Sequence, residues 1–324
     1  MLLFHTVGKN GFQSMTKRRQ KPIKVSVIMN CLNCEKYVRE AIDSVYAQTY
    51  PDWEIIFWDN ASLDSSGEIA KSYDERLKYF RGDKTIPLGR ARNLAIEKAK
   101  GEYIAFLDCD DMWLPKKLEK QMALFEKTPE PGIVYSNCMH LYLPSNQEQD
   151  LFSKAKPYKG DVLEKLFMQN FISMQTVVIK RDILDKCGGF GDNLKLCLDF
   201  DMWLRVSEIA SVDYVDEVLA RYRVHDGSFS RTNPTSDTLE EIVSVLNGCV
   251  ERNPRLKRTI GKKAYRMFCS LYLSLAHAYL KQNIRRRSFY TLLKAFKEYR
   301  IDFPYDLHRA LPFIRRMADF CGRN

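Results

Sequence analysis

"EYIAFLDCDDMWLP", from Glu102 to Pro115, decides how the rest of the chain is read. Tyr103, Ile104, Ala105, Phe106 and Leu107 form an unbroken apolar or aromatic run, and three carboxylates, Asp108, Asp110 and Asp111, follow within four positions. Such a run suits a strand buried on both faces. The carboxylates repel one another and gain nothing structurally unless a positive charge meets them. Three readings are open: a solvated turn with Asp111 as cap of a following helix, a divalent-metal site, or a general acid/base pair. A cap needs one aspartate and leaves Asp108 and Asp110 unexplained. Alternate positions of an extended segment aim their side chains the same way. Mg²⁺ and Mn²⁺ favour oxygen ligands, take few from protein, and leave the rest to water and substrate phosphates.

On either side, strands and helices alternate. "KVSVIMN" (24–30), "WEIIFWD" (53–59), "LKYFR" (77–81), "EYIAFLD" (102–108) and "GIVYSNC" (132–138) read as strands. "EKYVREAIDSVYAQ" (35–48), a segment after Asp64, "GRARNLAIEKAK" (89–100) and "PKKLEKQMALFEK" (115–127) read as helices, the first with Tyr37, Val38, Ala41, Ile42 and Val45 at helical spacing. Pro115 suits a first helical turn. This alternation implies an α/β fold whose mostly parallel sheet is flanked by helices. Ligands of such sheets bind beyond the carboxyl ends of the strands. The polar residues collect there: Asn30, then Asp59 and Asn60, then Asp108 to Asp111.

The chain has 324 residues, 45% of them hydrophobic, enough for a substantial core. Its charge is unevenly spread. Residues 1–24 carry 6 Lys/Arg and no acid, residues 25–250 carry 27 Lys/Arg against 36 Asp/Glu, and residues 251–324 carry 18 against 5. An acidic middle argues against a polynucleotide substrate, which needs Lys and Arg on the working surface. No window approaches the roughly 18 apolar residues of a membrane span. Residues 1–22 read as a disordered basic segment, poor as a secretory signal, and Met15 is a candidate start. Nine cysteines at irregular spacing fit reduced thiols in a cytoplasmic protein. "CLNC" (Cys31, Cys34) alone suggests zinc or redox chemistry. No second CxxC or His pair stands at zinc spacing, so structural, reduced thiols are expected.

Four stretches, taken together, carry a family resemblance. "VSVIMNCLNCEKYVREAIDSVYAQTYPDWEIIFWDNASLDSS", "GRARNLAIEKAKGEYIAFLDCDD", "GGFGDNLKLCLDFDMWLRV" and "YRVHDGSFS" resemble family 2 glycosyltransferases in order, spacing and residue type, over about residues 24 to 230. The resemblance implies a GT-A fold and an inverting, hexosyltransferase-type enzyme that uses a nucleotide-sugar donor, a UDP-sugar, with Mn²⁺ or Mg²⁺ as cofactor. It places Asn30 against the nucleoside and Asp59 at the first acid of the family's "DDGS" turn. Asn60 departs from that pattern by replacing the second acid, offering a donor as well as an acceptor. Asp108 and Asp110 match the DxD motif, Asp108 near the ribose and Asp110 on the metal, with Asp111 on the acceptor side.

Arg92 and Arg90 in "GRARN" are candidates for positive charge facing the donor, Arg90 equally a surface residue. Asp199 in "LCLDFDMWLRV" matches the aspartate that removes the acceptor proton, while Leu198 replaces the acid usual before it. Asp201 and Trp203 read as helix surface and helix core. His225 either faces the diphosphate or closes a loop.

The catalytic domain is expected over residues 23–235 and a basic amphipathic helical region over 236–324. Within the latter, 262–282, 284–300 and 305–320 read as helices. That region either packs on the catalytic domain or attaches peripherally to an anionic bilayer at the cytoplasmic face. The expected acceptor is a glycan or lipid-linked intermediate of cell-surface polysaccharide assembly, with no nucleic-acid partner. Two competing functions are a metal-dependent nucleotidyltransferase and a non-catalytic sugar- or nucleotide-binding protein.

Overall fold

The computed structural model describes residues 24–228 and 235–299. The basic segment 1–22 and the helix expected over 305–320 lie outside the described residues. One nine-stranded sheet runs in the order β3-β2-β1-β4-β8-β6-β9-β5, with β7 on the flank of β6. Its strands are β1 (Val25–Cys31), β2 (Trp53–Asp59), β3 (Leu77–Arg81), β4 (Tyr103–Phe106), β5 (Met112–Trp113), β6 (Ile133–Tyr142), β7 (Gln147–Asp150), β8 (Val178–Lys180) and β9 (Val212–Val224). β3, β2, β1 and β4 pair in parallel. β8 lies antiparallel to both β4 and β6, and β9 pairs parallel with β6. Six strands, β1 to β4, β6 and β9, therefore share one direction, and their carboxyl ends open on the same side.

Strand alternation divides the apolar residues between two helical layers. Val25, Val27, Met29 and Cys31 pack with α1 (Val38–Tyr46) and α4 (Lys117–Lys127) on one face. Ile28, Ile56 and Phe106 pack with α3 (Leu88–Lys98) on the other. α1 buries Val38, Ala41, Ile42 and Val45, the spacing of one helical face. It begins at Val38 rather than at Glu35, so Tyr37 is its N-cap residue and leaves the core stripe. α2 (Ser66–Lys71) connects β2 to β3.

The opening stretch also differs from its sequence reading. β4 ends at Phe106, and Asp108 to Asp111 form a tight turn closed by the Asp111 N–H donating to the Asp108 carbonyl (3.0 Å). Asp108 and Asp110 thus do not project from an extended segment. Nor is Asp111 a helix cap, because β5 intervenes and α4 starts at Lys117. Met112 and Trp113 pair with Arg221 and Ala220 of β9, and the helix expected from Pro115 begins two residues later, at Lys117.

The second half carries α5 (Leu163–Met168), α6 (Arg181–Cys187), α7 (Leu198–Ser207), α8 (Thr235–Arg252), α9 (Pro254–Ile260), α10 (Lys262–Lys281) and α11 (Arg285–Tyr299). Phe268, Cys269, Tyr272, Leu292 and Ala295 from α10 and α11 belong to the same buried cluster as Ile133, Phe171 and Trp203. The C-terminal helices therefore share a core with the sheet. Among the described residues, no helix is long and apolar enough to cross a membrane.

Candidate active site

At the carboxyl end of β2, Asp59 is fully buried, yet it is well supplied with donors. The ladder sets Asp59 beside Arg81 of β3, and Tyr79, two residues earlier, shares that strand face. The Tyr79 hydroxyl (2.6 Å), an Arg81 Nη1 (2.5 Å) and the Ser62 N–H (2.7 Å) all donate to its carboxylate. Burial pushes the Asp59 carboxyl up, but Tyr79, Ser62 and Arg81 outweigh burial and hold it below the usual carboxylate range. Asp59 is thus an ionised acceptor fixed in one orientation.

Asn60 turns elsewhere: its Nδ2 donates to the Ile86 carbonyl (2.8 Å) and its Oδ1 accepts the Ile86 N–H (3.2 Å). The amide in place of an acid ties the segment before α3 to the turn after β2, because an amide satisfies both backbone groups where a carboxylate would satisfy one. Asn30, next to last in β1, has its Nδ2 buried and without a partner. Such an orphaned donor is costly unless a ligand accepts from it.

The acidic turn is divided by its partners. The Asp108 carboxylate accepts from Nη2 of the buried Arg92 (2.7 Å). Arg92 reaches it because two motifs 97 residues apart in sequence interlock. The Asn93 side chain donates to the Phe190 carbonyl (2.9 Å) and accepts its N–H (2.8 Å), placing the Phe190 ring 5.5 Å from the Arg92 guanidinium. Gly189 makes the fit possible, with φ +74° and Asn93 Oδ1 only 2.7 Å from where a Cβ would stand. Arg90, on the opposite side of α3, is exposed to solvent.

Asp110 turns to β9. Its Oδ2 lies 3.2 Å from His225 Nε2, and the His225 ring packs against Tyr37 with centroids 5.0 Å apart. Burial and the neighbouring Asp108 charge both push the Asp110 carboxyl up, with His225 opposing them. The turn therefore has an unmet demand for positive charge. A carboxylate oxygen beside an imidazole nitrogen fits a hard divalent cation that takes few ligands from protein and the rest from water or phosphate oxygens. No group of three or more His, Cys, Asp or Glu is arranged to hold a metal among the described residues, so Asp110 and His225 are the pair the structure offers.

Asp111, expected on the acceptor side, is closed off from solvent. It is fully buried, with Oδ1 accepting the Arg223 N–H (2.8 Å), and burial drives its carboxyl well up, helped by the charges of Asp110 and Asp108. Its role is to fasten the acidic turn to β9, two residues from His225. Arg223 in turn donates to Glu40 (2.7 Å) and stacks over Tyr37 (4.4 Å).

Asp199 occupies the first turn of α7, with Oδ1 accepting the Phe200 N–H (2.7 Å). Burial raises its carboxyl above the usual range. The Phe200 N–H and the Arg92 charge oppose that rise, and the Asp108 charge adds to it. Asp199, Arg92 and Asp108 therefore sit in one electrostatic neighbourhood. Leu198, in place of an acid, packs into the gap left by Gly89, while Trp203 is wholly buried and Asp201 pairs with Arg205 (2.6 Å).

Sequence reading missed Glu241. From α8, its carboxylate accepts the N–H groups of Lys195 (2.9 Å), Leu196 (2.8 Å) and Cys197 (3.0 Å), the segment leading directly into Asp199. Arg252, at the other end of α8, pairs with Glu208 beyond the last turn of α7 (3.0 Å). α8 thus clamps the helix carrying Asp199 at both ends. Glu241→Ala is expected to lower kcat about tenfold with little change in donor KM, because misalignment at the reacting centre costs rate while Asp59 and Asp108 do not rest on α8. Steady-state kinetics at saturating donor would check this.

Comparison with known proteins gives the family and the fold. The family model "Glycosyl transferase family 2" matches residues 26–188. An uncharacterized glycosyltransferase of Rickettsia typhi is 32% identical over 253 residues, covering 76% of this chain and 77% of the relative. The putative teichuronic acid biosynthesis glycosyltransferase TuaG of Bacillus subtilis is 31% identical over 215 residues, 65% of this chain and 82% of TuaG. Among solved structures, S. aureus TarS 1-349 in complex with UDP-GlcNAc superposes with a TM-score of 0.60 at 17% identity, covering 86% of this chain and 91% of TarS 1-349. Mannosyltransferase PcManGT from Pyrobaculum calidifontis, in complex with GDP-Man and Mn²⁺, also reaches 0.60 at 17% identity, covering 92% of this chain and 81% of the neighbour. These two likenesses show the fold. The matched segment spans β1 to α6, with the turn after β2 and the acidic turn, and with a relative 32% identical over three quarters of its length this chain belongs to glycosyl transferase family 2.

Proposed function

We propose that the protein transfers a hexose from a nucleoside-diphosphate sugar, a UDP-sugar, to a hydroxyl of a glycan or lipid-linked acceptor, with inversion at the anomeric carbon. The observation that carries this reading is the Arg92–Asp108 pair at the strand ends, with Leu198, the neighbour of Asp199, packed on Gly89 of the helix that carries Arg92. The Mn²⁺ and GDP-Man of the neighbouring mannosyltransferase and the UDP-GlcNAc of TarS support the donor class. TuaG supports a place in polysaccharide assembly.

Asp59 accepts hydrogen bonds from the nucleoside, its charge kept by Tyr79 and Arg81, and Asn30 offers its unpartnered Nδ2 from the neighbouring strand. Asp108, oriented by Arg92, receives the ribose hydroxyls. Asp110 and His225 would hold Mn²⁺ or Mg²⁺, which when bound offsets the charge growing on the departing nucleoside diphosphate. Asp199 Oδ1 is engaged by the Phe200 N–H, which leaves Oδ2 to take the acceptor proton. The freed oxygen attacks the anomeric carbon on the face opposite the diphosphate, giving inversion. Burial raises the Asp199 carboxyl, and a raised carboxyl is the stronger base. A screen of nucleotide sugars with Mn²⁺, identifying the nucleoside diphosphate released, tests the proposal. Pyrophosphate release from a nucleoside triphosphate instead would make the protein a nucleotidyltransferase.

The outer face of α11 exposes Phe289, Tyr290 and Leu293, with Arg285, Arg286 and Arg287 at its start. We propose that this face rests on the anionic cytoplasmic surface of a membrane, where each basic residue contributes on the order of 1 kcal/mol. Because the helix shares the core, the test replaces only surface residues. Phe289, Tyr290 and Leu293 changed together to serine are expected to abolish sedimentation with vesicles rich in phosphatidylserine while turnover of a soluble acceptor persists. Equal sedimentation of both proteins would refute membrane attachment through α11.

A further inference from the structure

Tyr37 stands where two distant parts of the chain meet beside the acidic turn. It is the N-cap residue of α1, its N–H donating to the Cys34 carbonyl (3.0 Å) and its carbonyl accepting the Ala41 N–H (3.1 Å). The backbone of the ring-bearing residue is therefore fixed, while its side chain is only half-buried and takes no part in the buried stripe of α1. Two side chains from the end of β9 nevertheless gather on the ring. The Arg223 guanidinium lies over it, 4.4 Å from the centroid, and the His225 ring packs at 5.0 Å with a tilt of 47°.

Spacing explains the meeting. Tyr37 and Glu40 are three residues apart at the start of α1, so they share one helical face. Glu40 accepts from Arg223 Nη2 (2.7 Å) while Tyr37 offers the same guanidinium its ring. Arg223 is 4% exposed and its Nη1 is buried without a partner, so the electron-rich ring face compensates part of a buried charge. His225 is tied down only through its backbone and its ring neighbours. Its N–H donates to Ser228 Oγ (2.9 Å) and its carbonyl accepts the Ser228 N–H (2.9 Å). Those bonds fix where the imidazole begins and leave its χ angles to packing. Tyr37 bounds the ring, as does Gly227, where a Cβ would stand 3.3 Å from His225 Cε1 and Nδ1. Held so, His225 Nε2 meets Asp110 Oδ2 at 3.2 Å.

We propose that Tyr37 is a positioning residue for the cation site, its ring holding the His225 imidazole with Nε2 toward Asp110. A side chain already oriented gives up less rotamer freedom when it takes a cation. Loss of the support therefore costs affinity although every ligand atom is still present. This role rests on the reading of Asp110 and His225 as the metal pair, and it makes the start of α1 part of that site.

The experiment measures Mn²⁺ binding to the full chain by electron paramagnetic resonance, which needs no donor. Tyr37→Ala is expected to weaken binding about fivefold, below the range for an outer partner that hydrogen bonds to a ligand. Tyr37→Phe keeps the ring and should bind as wild type does. Tyr37→Leu fills a similar volume without the ring, so it should bind as weakly as Tyr37→Ala while melting close to wild type. Because Tyr37 acts through His225, adding Tyr37→Ala to His225→Ala should bring no further loss. Wild-type affinity in Tyr37→Ala and Tyr37→Leu, beside a loss in His225→Ala, overturns the positioning role, as does a further fivefold loss in the double variant. Unchanged affinity in Asp110→Ala and His225→Ala removes the metal pair itself and the role of Tyr37 with it.

Discussion

Asp199→Asn is expected to lower kcat by about 10³-fold, the middle of the range that a positioned general base supplies, while donor affinity stays near that of the wild type. The asparagine keeps the Phe200 N–H partner and the first turn of α7, so only the proton acceptor is removed. Stability provides the control. The folded-state carboxyl of Asp199 is raised above its unfolded value. Its favourable contribution is therefore present when it is protonated, below the unfolded value near 3.9, and is lost as pH rises through the raised folded value. At neutral pH the buried charge is a net cost, and Asp199→Asn should melt at the same temperature as wild type or higher. A variant that loses both activity and stability would show that Asp199 serves packing. The same raised carboxyl gives kcat/KM an acidic limb: turnover falls as pH drops through it, and the limb should vanish from the residual rate of Asp199→Asn.

Asp110→Ala should cost a further large factor, about 10²- to 10³-fold in kcat, the scale of a lost electrostatic contact to a developing charge. It should also weaken Mn²⁺ binding, which electron paramagnetic resonance reads directly whether or not the correct donor is known. His225→Ala should have a smaller effect, about tenfold, because imidazole is the weaker partner for a hard cation. Wild-type Mn²⁺ affinity in Asp110→Ala would remove Asp110 from the metal and leave its contact with His225 as a loop closure.

The legible part of the site followed from strand ends. Asn30, Asp59 and Asp108 to Asp110 all lie within a few residues of a strand carboxyl terminus, and apolar runs locate strands well. Tyr79 and Arg81 were within reach of the same reasoning, since both lie on the strand "LKYFR" at the i, i+2 spacing that shares a face with its neighbour's end. Asp111 was not: its neighbours in sequence suggest a turn or cap, and only the arrival of Arg223, 112 residues later, shows it buried against β9. The pairing of Asp110 with His225 across 115 residues and the grip of Glu241 on the segment before Asp199 likewise leave no periodic trace.

By itself the amino-acid sequence determined the alternation of strands and helices, the buried run that carries the acidic turn, and the chemistry on offer there, because periodicity and residue type act locally. Tertiary structure decided which acid meets which partner: Asp108 with Arg92, Asp110 with His225, Asp111 with the β9 backbone. It also decided that the C-terminal helices share the core and hold α7, the helix of Asp199. The physical reason is that burial and charge pairing are properties of surroundings in space, and three aspartates within four positions acquire three different environments only when distant segments close around them.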